Sequence, residues 1–289
     1  MSDPAFTELT NRALLNVTGE GAADFLQGIV TCEVAKLVPG EIAFGALLSP
    51  QGKILFDFFV VASTKGFIFD VEKSMAGDLA KRLAFYRLRA KIDIEPMDER
   101  THVFSIWGAN INPKSLLADG VICKDPRLAE MGYRAYIRRA PDGVDIKSMK
   151  QWNDHRIDQG MPEGGLDFSF GDAFPHEALM DQFKGIDFAK GCYVGQEVVS
   201  RMQHRGTARK RLIKVSASAS LPNNGTEILS NGKACGSLTS NNGKTGIAMI
   251  RIDKVEGAGP LRTALAGSMQ VELSIQDWCN FTWPDDNAS

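Results

Sequence analysis

The sequence predicts an α+β protein whose C-terminal part is a small β-barrel. Two apolar, β-rich runs at 42–48 and 54–62 flank a turn sequence at 49–52. Apolar side chains recur at helical spacing between 73 and 89. After Arg211 the chain changes to short β-type runs separated by Asn-Gly turns, which is typical of a barrel or sandwich. We therefore expect an α+β region over 1–208 and a β-barrel domain over 209–289.

The α+β region is predicted element by element. Thr18 is expected to cap a helix in which Ala22, Phe25, Leu26 and Ile29 recur. Further strands are predicted at 13–17, 67–71, 92–95, 102–107 and 133–138, a second helix at 73–89 and a third at 147–159. Loops are expected at 110–126 and 160–175. This order favours mostly antiparallel pairing, beginning with a three-stranded meander over 42–71.

The barrel is predicted from runs of about five residues with turn residues between them. The turns are the Asn-Gly sequences near 223–225, 231–232 and 241–243. The predicted strands are 212–215, 227–229, 234–240, 246–250 and 269–273.

Composition indicates an ordinary globular protein, with 289 residues of which 44% are hydrophobic and 24% charged. The net charge of −2 argues against general nucleic-acid binding. The cysteine count is odd and no C-x-x-C occurs, so a reduced, intracellular compartment is the simplest inference. The five cysteines are Cys32, Cys123, Cys192, Cys235 and Cys279.

The N-terminus and the hydropathy pattern predict a cytoplasmic protein without a membrane partner. No segment approaches the roughly 18 apolar residues that span a bilayer. Residues 1–8 lack a basic region followed by an apolar one, and they contain early acidic residues. The mitochondrial matrix is the expectation if a transit peptide has been removed.

The most unusual chemistry lies in the octapeptide at 190–197, Lys-Gly-Cys-Tyr-Val-Gly-Gln-Glu. Gly191 and Gly195 bracket Cys192 and should leave its sulfur accessible. Lys190 could favour the thiolate, which is the reactive form of cysteine. The alternative is that Cys192 is a small buried hydrophobe, the common state of a free cysteine.

A local basic run follows the octapeptide. Arginine forks suit carboxylates, so this run could hold an anionic ligand tail. A solvated strand face or turn is the alternative interpretation. The run comprises Arg201, His204, Arg205, Arg209, Lys210 and Arg211.

No stable, self-contained metal site is expected. A protein-bound iron–sulfur cluster usually takes four cysteine ligands, and the other cysteines have no spacing that would join Cys192. His155, His176 and His204 are too dispersed for a predicted site. A cluster that Cys192 shares with a partner, or redox chemistry at its thiol, fits one cysteine better.

The octapeptide resembles the signature Lys-Gly-Cys-Tyr-x-Gly-Gln-Glu of the YgfZ family and matches all seven fixed positions. The segments at 12–34, 47–53 and 152–162 are also similar to that family. Its members are folate-binding proteins implicated in iron–sulfur cluster assembly and repair. Their fold is that of the glycine-cleavage T-protein, an aminomethyltransferase that uses tetrahydrofolate.

The resemblance implies a tetrahydrofolate-binding accessory protein, with tetrahydrofolate or a related reduced folate as the cofactor. Iron–sulfur carriers or clients are the implied protein partners, with indirect effects on iron–sulfur enzymes including tRNA-modifying ones. Cys192 and Lys190 are expected to carry the chemistry. Asp158 stands where the family usually has a glutamate, so it could contact the pterin or could be an exposed helical acid. The residues expected to bind folate are Asp158, Tyr193, Gln196, Glu197, Arg201 and Arg205.

Aminomethyl transfer is not expected to be efficient. A transferase of the T-protein type carries an aspartate after an Asn-Ala loop, and the segment at 69–74 lacks that element. Asp70 lies in this segment. Asp78 lies only roughly at the position in the sequence where the catalytic aspartate of such a transferase is expected. Two alternatives stay open: a folate-dependent one-carbon transferase, and a binding module whose Cys192 only packs.

Overall fold

The computed structural model describes residues 4–109, 111–112, 120–206 and 208–284. The chain forms two compact units. The first comprises Met1–Trp152 and Phe183–Gln196, and the second comprises Asn153–Gln182 and Glu197–Ser289. The barrel begins at Lys210, beside the predicted division at 208/209. The compact units nevertheless place 153–182 with the barrel.

Two five-stranded sheets form the first unit, and all but one of their strand pairs are antiparallel. The exception is the first pair of the first sheet, which is parallel. The first sheet has the order β10 (Asp145–Ile146), β1 (Ala5–Glu8), β7 (His102–Trp107), β9 (Tyr133–Ile137) and β8 (Val121–Lys124). The second has the order β3 (Ile42–Leu48), β4 (Ile54–Ser63), β5 (Gly66–Glu72), β2 (Arg12–Thr18) and β6 (Asp93–Pro96).

Two helices of the first unit contribute to the core of the second sheet. Helix α1 (Ala22–Gln27) follows Gly21, so the expected cap at Thr18 is wrong. Helix α2 (Ala76–Arg87) buries Leu79 and Leu83, the face that the helical spacing predicts. These side chains join a core of aromatic and β-branched residues supplied by the strands.

The second unit contains a closed six-stranded barrel and two helices. Helix α3 is Met149–Asp158, of which the residues from Asn153 onward belong to this unit, and helix α4 is Gln196–Arg205. No helix in the described ranges is long and apolar enough to cross a membrane. The barrel order is β11 (Lys210–Ser216), β14 (Thr245–Arg251), β13 (Lys233–Asn241), β12 (Glu227–Ser230), β15 (Leu261–Ala266) and β16 (Met269–Ser274).

Several short or irregular elements differ from the prediction. Strand β15 was not predicted because the first of its inward-facing positions holds a charged residue, Arg262. The Arg262 side chain is buried beside Trp283. Helix α4 was missed because its sequence is polar, and only Val199 in it is buried. The expected loop at 110–126 contains β8, and residues 110 and 113–119 of it lie outside the described part of the chain.

A buried arginine holds the non-barrel part of the second unit. The Nη1 atom of Arg156 donates to Oδ2 of Asp167 at 2.7 Å and to the carbonyl oxygen of Met161 at 3.1 Å. Its Nη2 atom donates to the hydroxyl of Ser240 on β13 at 3.3 Å. Because a buried charge is costly without partners, this set fixes the segment after α3 against the barrel.

The two sheets of the first unit meet at one buried carboxylate. Asp70 on β5 accepts from Nε of Arg12 at 2.6 Å, from Nε of Arg134 at 2.9 Å and from the hydroxyl of Tyr136 at 3.1 Å. Burial alone would raise the pKa of Asp70, but Arg12 and Arg134 outweigh it and hold the pKa below its ordinary value. The Arg134 guanidinium also lies 3.9 Å from the centre of the Phe59 ring.

We predict that Asp70→Asn lowers the free energy of unfolding by about 3–5 kcal/mol, because it leaves Arg12 and Arg134 buried without a counter-charge. Denaturant titration followed by circular dichroism measures this. The control is Asp98→Asn, which removes an exposed partner of Arg100 and should leave the denaturation midpoint unchanged. Equal midpoints for wild type and Asp70→Asn would contradict the role assigned to Asp70.

The same interaction should depend on pH in one direction. The folded-state pKa of Asp70 is depressed, so its contribution is present above the unfolded pKa of about 3.9. That contribution is lost as the pH falls through the folded-state pKa. The stability difference between wild type and Asp70→Asn should therefore shrink on acidification.

Candidate functional site

The octapeptide lies at the end of an irregular segment that a buried threonine attaches to the second sheet of the first unit. The Thr31 hydroxyl donates to the carbonyl oxygen of Gly185 at 2.6 Å and accepts from the amide of Ala46 on β3 at 2.8 Å. The amide of Asp187 donates to the Thr31 carbonyl oxygen at 2.9 Å. A single residue thus bonds to both the segment and the sheet.

Asp187 then shapes the turn into the octapeptide. Its Oδ1 atom accepts from the amides of Ala189 at 2.7 Å and Lys190 at 3.0 Å. Aspartate commonly makes such bonds to the backbone that follows it. The turn directs the Lys190 side chain into the unit.

Lys190 is buried and binds the backbone rather than a carboxylate. Its Nζ atom donates to the carbonyl oxygens of Val30 and Cys32, each at 2.7 Å. Burial lowers the pKa of the Lys190 ammonium, and Cys32 and nearby carboxylates oppose that shift. We define this contact as the lysine clamp. The hydrogen bonds of the ammonium are therefore to main-chain carbonyls, and the predicted chemical role of Lys190 stays a prediction.

The two glycines of the octapeptide have different surroundings. Gly195 has φ +81°, and a Cβ there would lie 2.5 Å from the Ser49 carbonyl oxygen and 3.0 Å from Cβ of Leu48. Only glycine permits both this conformation and this approach to the turn between β3 and β4. Gly191 has no atom within 4 Å of such a Cβ. It therefore borders open space.

Tyr193 and Gln196 complete the loop. The Gln196 amide donates to the Tyr193 carbonyl oxygen at 3.2 Å, and the Gln196 Oε1 atom accepts from the Tyr193 amide at 3.4 Å. The Tyr193 ring is buried, with the Lys190 ammonium 5.5 Å from its centre. Burial, together with the charge of Asp187, raises the pKa of the Tyr193 hydroxyl to about 12. Tyr193 is therefore a buried, neutral phenol in this loop, and its predicted role in folate binding stays a prediction.

Cys192 differs from the other cysteines in exposure. It is exposed, whereas Cys32, Cys123 and Cys235 are buried and Cys279 is half-buried. Burial raises the pKa of Cys32 and of Cys279 to about 12 and that of Cys123 to about 11. Burial also raises the pKa of Cys235. Thiolates at these four positions are therefore disfavoured, and Cys192 presents the accessible thiol.

The predicted folate residues fall into two groups. Tyr193 and Gln196 belong to the first unit with Cys192, whereas the other four belong to the second unit. On α4, exposed Glu197 and Arg201 form an ion pair at 2.6 Å, and Arg205 is exposed at the end of that helix. The basic run is thus divided, because Arg211 is buried and paired with Asp181 at 2.7 Å.

Asp158 is exposed at the end of α3, and both its side chain and its main chain contact the barrel. Its Oδ1 atom accepts from Nδ2 of Asn242 at 2.7 Å. Its carbonyl oxygen accepts from Nζ of Lys214, also at 2.7 Å. The assignment of Asp158 to the pterin stays a prediction.

The aspartates near the expected catalytic position have other partners. Asp70 is wholly buried in the ion-pair cluster described above. Asp78 is exposed on α2 and lies 3.1 Å from Nζ of Lys81. Neither lines the 520 Å³ cavity of the first unit whose lining includes Arg12, Lys73 and His102. A second cavity, of about 710 Å³, lies in the second unit beside Arg211.

Sequence reasoning missed the residues that hold the loop. Thr31 acts through main-chain partners distant in sequence, and no local pattern reveals such contacts. The Asp187 side chain acts locally, on the amides two and three residues after it. The one available signal was the similarity of the segment at 12–34 to the YgfZ family. Among the described residues, no group of three His, Cys, Asp or Glu side chains could hold a metal ion.

Comparison with known families divides the chain into two matched regions. Residues 4–145 match the GCVT N-terminal domain, and residues 209–281 match the CAF17 C-terminal β-barrel domain. The crystal structure of glycine cleavage system aminomethyltransferase T from Bartonella henselae superposes with a TM-score of 0.76 at 15% identity. It covers 97% of this chain and 87% of that structure. The predicted α+β fold with a T-protein-like region and a C-terminal barrel is confirmed.

Similar sequences include mitochondrial iron–sulfur cluster assembly factors. The human iron–sulfur cluster assembly factor IBA57 is 31% identical over 96% of this chain and 84% of its own length. The mouse protein is 30% identical with the same coverage, and the Mycosarcoma maydis homologue is 26% identical over 96% of this chain and 85% of its own length. By its identity and coverage, this chain belongs to the IBA57 family of iron–sulfur cluster assembly factors.

Proposed function

We propose that this chain acts in iron–sulfur cluster assembly or repair through an exposed thiol at Cys192. The exposure of Cys192 on a loop fixed by buried contacts carries the proposal. The IBA57 relatives, which are named as assembly factors, support this function. The octapeptide supports the narrower assignment to the YgfZ type.

One cysteine suits a shared or transient ligand better than a resident cluster. Cysteine thiolates ligate iron–sulfur clusters, usually in sets of four. The other cysteines are at least half-buried, so the remaining ligands of a cluster at Cys192 would come from an iron–sulfur carrier or client protein. The buried contacts of Lys190 hold the loop on which the exposed sulfur could meet such a partner.

Gene deletion with complementation tests this function. Deletion should lower the activities of several iron–sulfur enzymes, including tRNA-modifying ones, and wild-type protein should restore them. We expect Cys192→Ser to fail at equal expression and Cys279→Ser to succeed. Full restoration by Cys192→Ser would overturn the assignment of the function to this thiol.

We further propose that the chain binds tetrahydrofolate or a related reduced folate. The T-protein-like fold supports this, as do the exposed guanidinium groups of Arg201 and Arg205, which suit the glutamate carboxylates of folate. The buried, ion-paired state of Asp70 does not favour an aminomethyl transferase. The bound folate would then regulate this protein, or take part in a reaction other than aminomethyl transfer at Asp70.

The names of the relatives bear on the location of the chain. All three relatives described above are named mitochondrial, which supports the mitochondrial matrix and not the expected cytoplasm. We therefore propose the matrix or an equivalent compartment that contains iron–sulfur assembly. Fractionation of cells that express the native gene, probed with an antibody to the protein, tests the location.

We predict that Cys192 is alkylated faster than the other four cysteines in the native protein, because it alone among them is exposed. Mass spectrometry after timed iodoacetamide treatment measures the rates, with urea-unfolded protein as the control that equalises them. The variant Cys192→Ser should have the same melting temperature as the wild-type protein. Slow labelling of Cys192 together with a destabilised serine variant would contradict the exposed site.

We predict that Gly195→Ala destabilises the protein by about 1–3 kcal/mol, because alanine disfavours φ +81° and its Cβ would approach the Ser49 carbonyl oxygen. Gly191→Ala is the matched control and should change stability by no more than about 0.5 kcal/mol, since its Cβ would enter open space. Thermal unfolding of both variants measures the difference. Equal losses would show that the loop does not hold the described conformation.

We predict that calorimetry with tetrahydrofolate shows saturable binding that weakens about tenfold in Arg201→Ala or Arg205→Ala, through loss of a charge-assisted contact. Lys233→Ala, an exposed barrel variant, is the control. If Arg201→Ala and Arg205→Ala bind tetrahydrofolate as tightly as the control and the wild type, α4 is not part of the folate site.

A further inference from the structure

An exposed apolar pair lies at the C-terminal end of α2, away from the cysteine loop in sequence. The Phe85 side chain is 74% exposed and Leu88 is 88% exposed. The other face of the same helix is buried in the core through Leu79 and Leu83. Two large apolar side chains of the same short stretch are therefore open to solvent although the helix already has a buried face.

The stretch of sequence that contains this pair carries charge of one sign. Between residues 79 and 92 the sequence contains five basic residues and no acidic one. Of these five, Lys81 lies within ion-pair distance of a described carboxylate, that of Asp78 at 3.1 Å. The remaining four have none among the described residues. We define the α2 surface as Arg82, Phe85, Arg87, Leu88, Arg89 and Lys91, all of them exposed.

The backbone at this end is strained in a way that displays an apolar side chain. Leu88 has φ 45° and ψ −103°, a conformation that glycine adopts far more readily than leucine. Stability alone would favour glycine at this position. Strained residues often lie at functional sites, and here the strained residue is an exposed leucine three positions after exposed Phe85.

We propose that the α2 surface is a docking site for an acidic protein partner whose apolar recess takes Phe85 and Leu88. Aromatic residues and arginine are enriched at the centres of protein interfaces, and a basic rim selects an acidic partner. An anionic membrane is less well matched. Interfacial helices present a long apolar face, whereas α2 is 12 residues long and its long apolar face is buried in the core.

The test uses full-length protein and two synthetic peptides that form amphipathic helices of about four turns. One carries leucines flanked by glutamates, and the other has every glutamate replaced by glutamine. Fluorescence anisotropy should show binding of the glutamate peptide that weakens with added salt, and binding of the glutamine peptide that is about tenfold weaker. Equal binding of both peptides would overturn the charge selection.

Variants locate the binding on the protein. The variants Phe85→Ala, Leu88→Gly and Arg89→Glu should each lower the affinity for the glutamate peptide about tenfold. The variant Lys233→Glu in the barrel should leave that affinity unchanged. Leu88→Gly should keep or raise the melting temperature, because glycine relieves the positive φ, so a loss of binding would not reflect unfolding. Unchanged affinity in these three variants would overturn the site.

A vesicle experiment separates the two kinds of partner. Vesicles of phosphatidylserine and phosphatidylcholine should not sediment the wild-type protein. Sedimentation that Phe85→Ala and Arg89→Glu abolish, without peptide binding, would assign the surface to a membrane and overturn protein docking. Cys192 alkylation should be the same in all α2 variants, so failure of this proposal leaves the proposed function at Cys192 untouched.

Discussion

The lysine clamp is the contact on which the cysteine loop depends. A buried ammonium costs free energy unless hydrogen bonds satisfy it, and Lys190 finds two main-chain carbonyls at 2.7 Å. These carbonyls belong to Val30 and Cys32, the residues on either side of Thr31, which bonds to the same segment. The loop is therefore held from one short stretch of chain. Its other end is fixed where Gly195 meets the turn after β3.

This arrangement explains how a thiol can be exposed and ordered at once. The flanking residues Lys190 and Tyr193 are buried, whereas Cys192 projects between them beside an open position at Gly191. The loop therefore does not need to bury the sulfur to be stable. A partner that brings a cluster would meet a ligand already in place, which reduces the entropic cost of binding.

Much of the fold could be predicted because it follows from periodicity and turn residues. Nearly continuous apolar, β-rich runs, such as β4, and the helix with Leu79 and Leu83 gave clear patterns. Strand β15 did not, because Arg262 occupies one of its inward positions. The predicted cap at Thr18 was wrong because Thr18 is the last residue of β2 and the helix begins only after Gly21.

The candidate site was predictable only in part. The glycines around Cys192 indicated an accessible thiol, and the exposure of Cys192 agrees with that. The direction of Lys190 could not be predicted, since its partners are backbone atoms about 160 residues away in sequence. The splitting of the basic run into exposed Arg201 and buried Arg211 likewise depends on tertiary contacts. Spacing alone does not show which arginine finds a buried carboxylate.

Amide hydrogen exchange in wild type and Lys190→Met tests the central claim most directly. The lysine clamp predicts that exchange rises together in two segments, at 30–32 and at 185–196, because the variant removes two of the hydrogen bonds between them. The barrel strands should keep their wild-type protection. Unchanged exchange in either segment would contradict the claim that Lys190 holds the loop that presents Cys192.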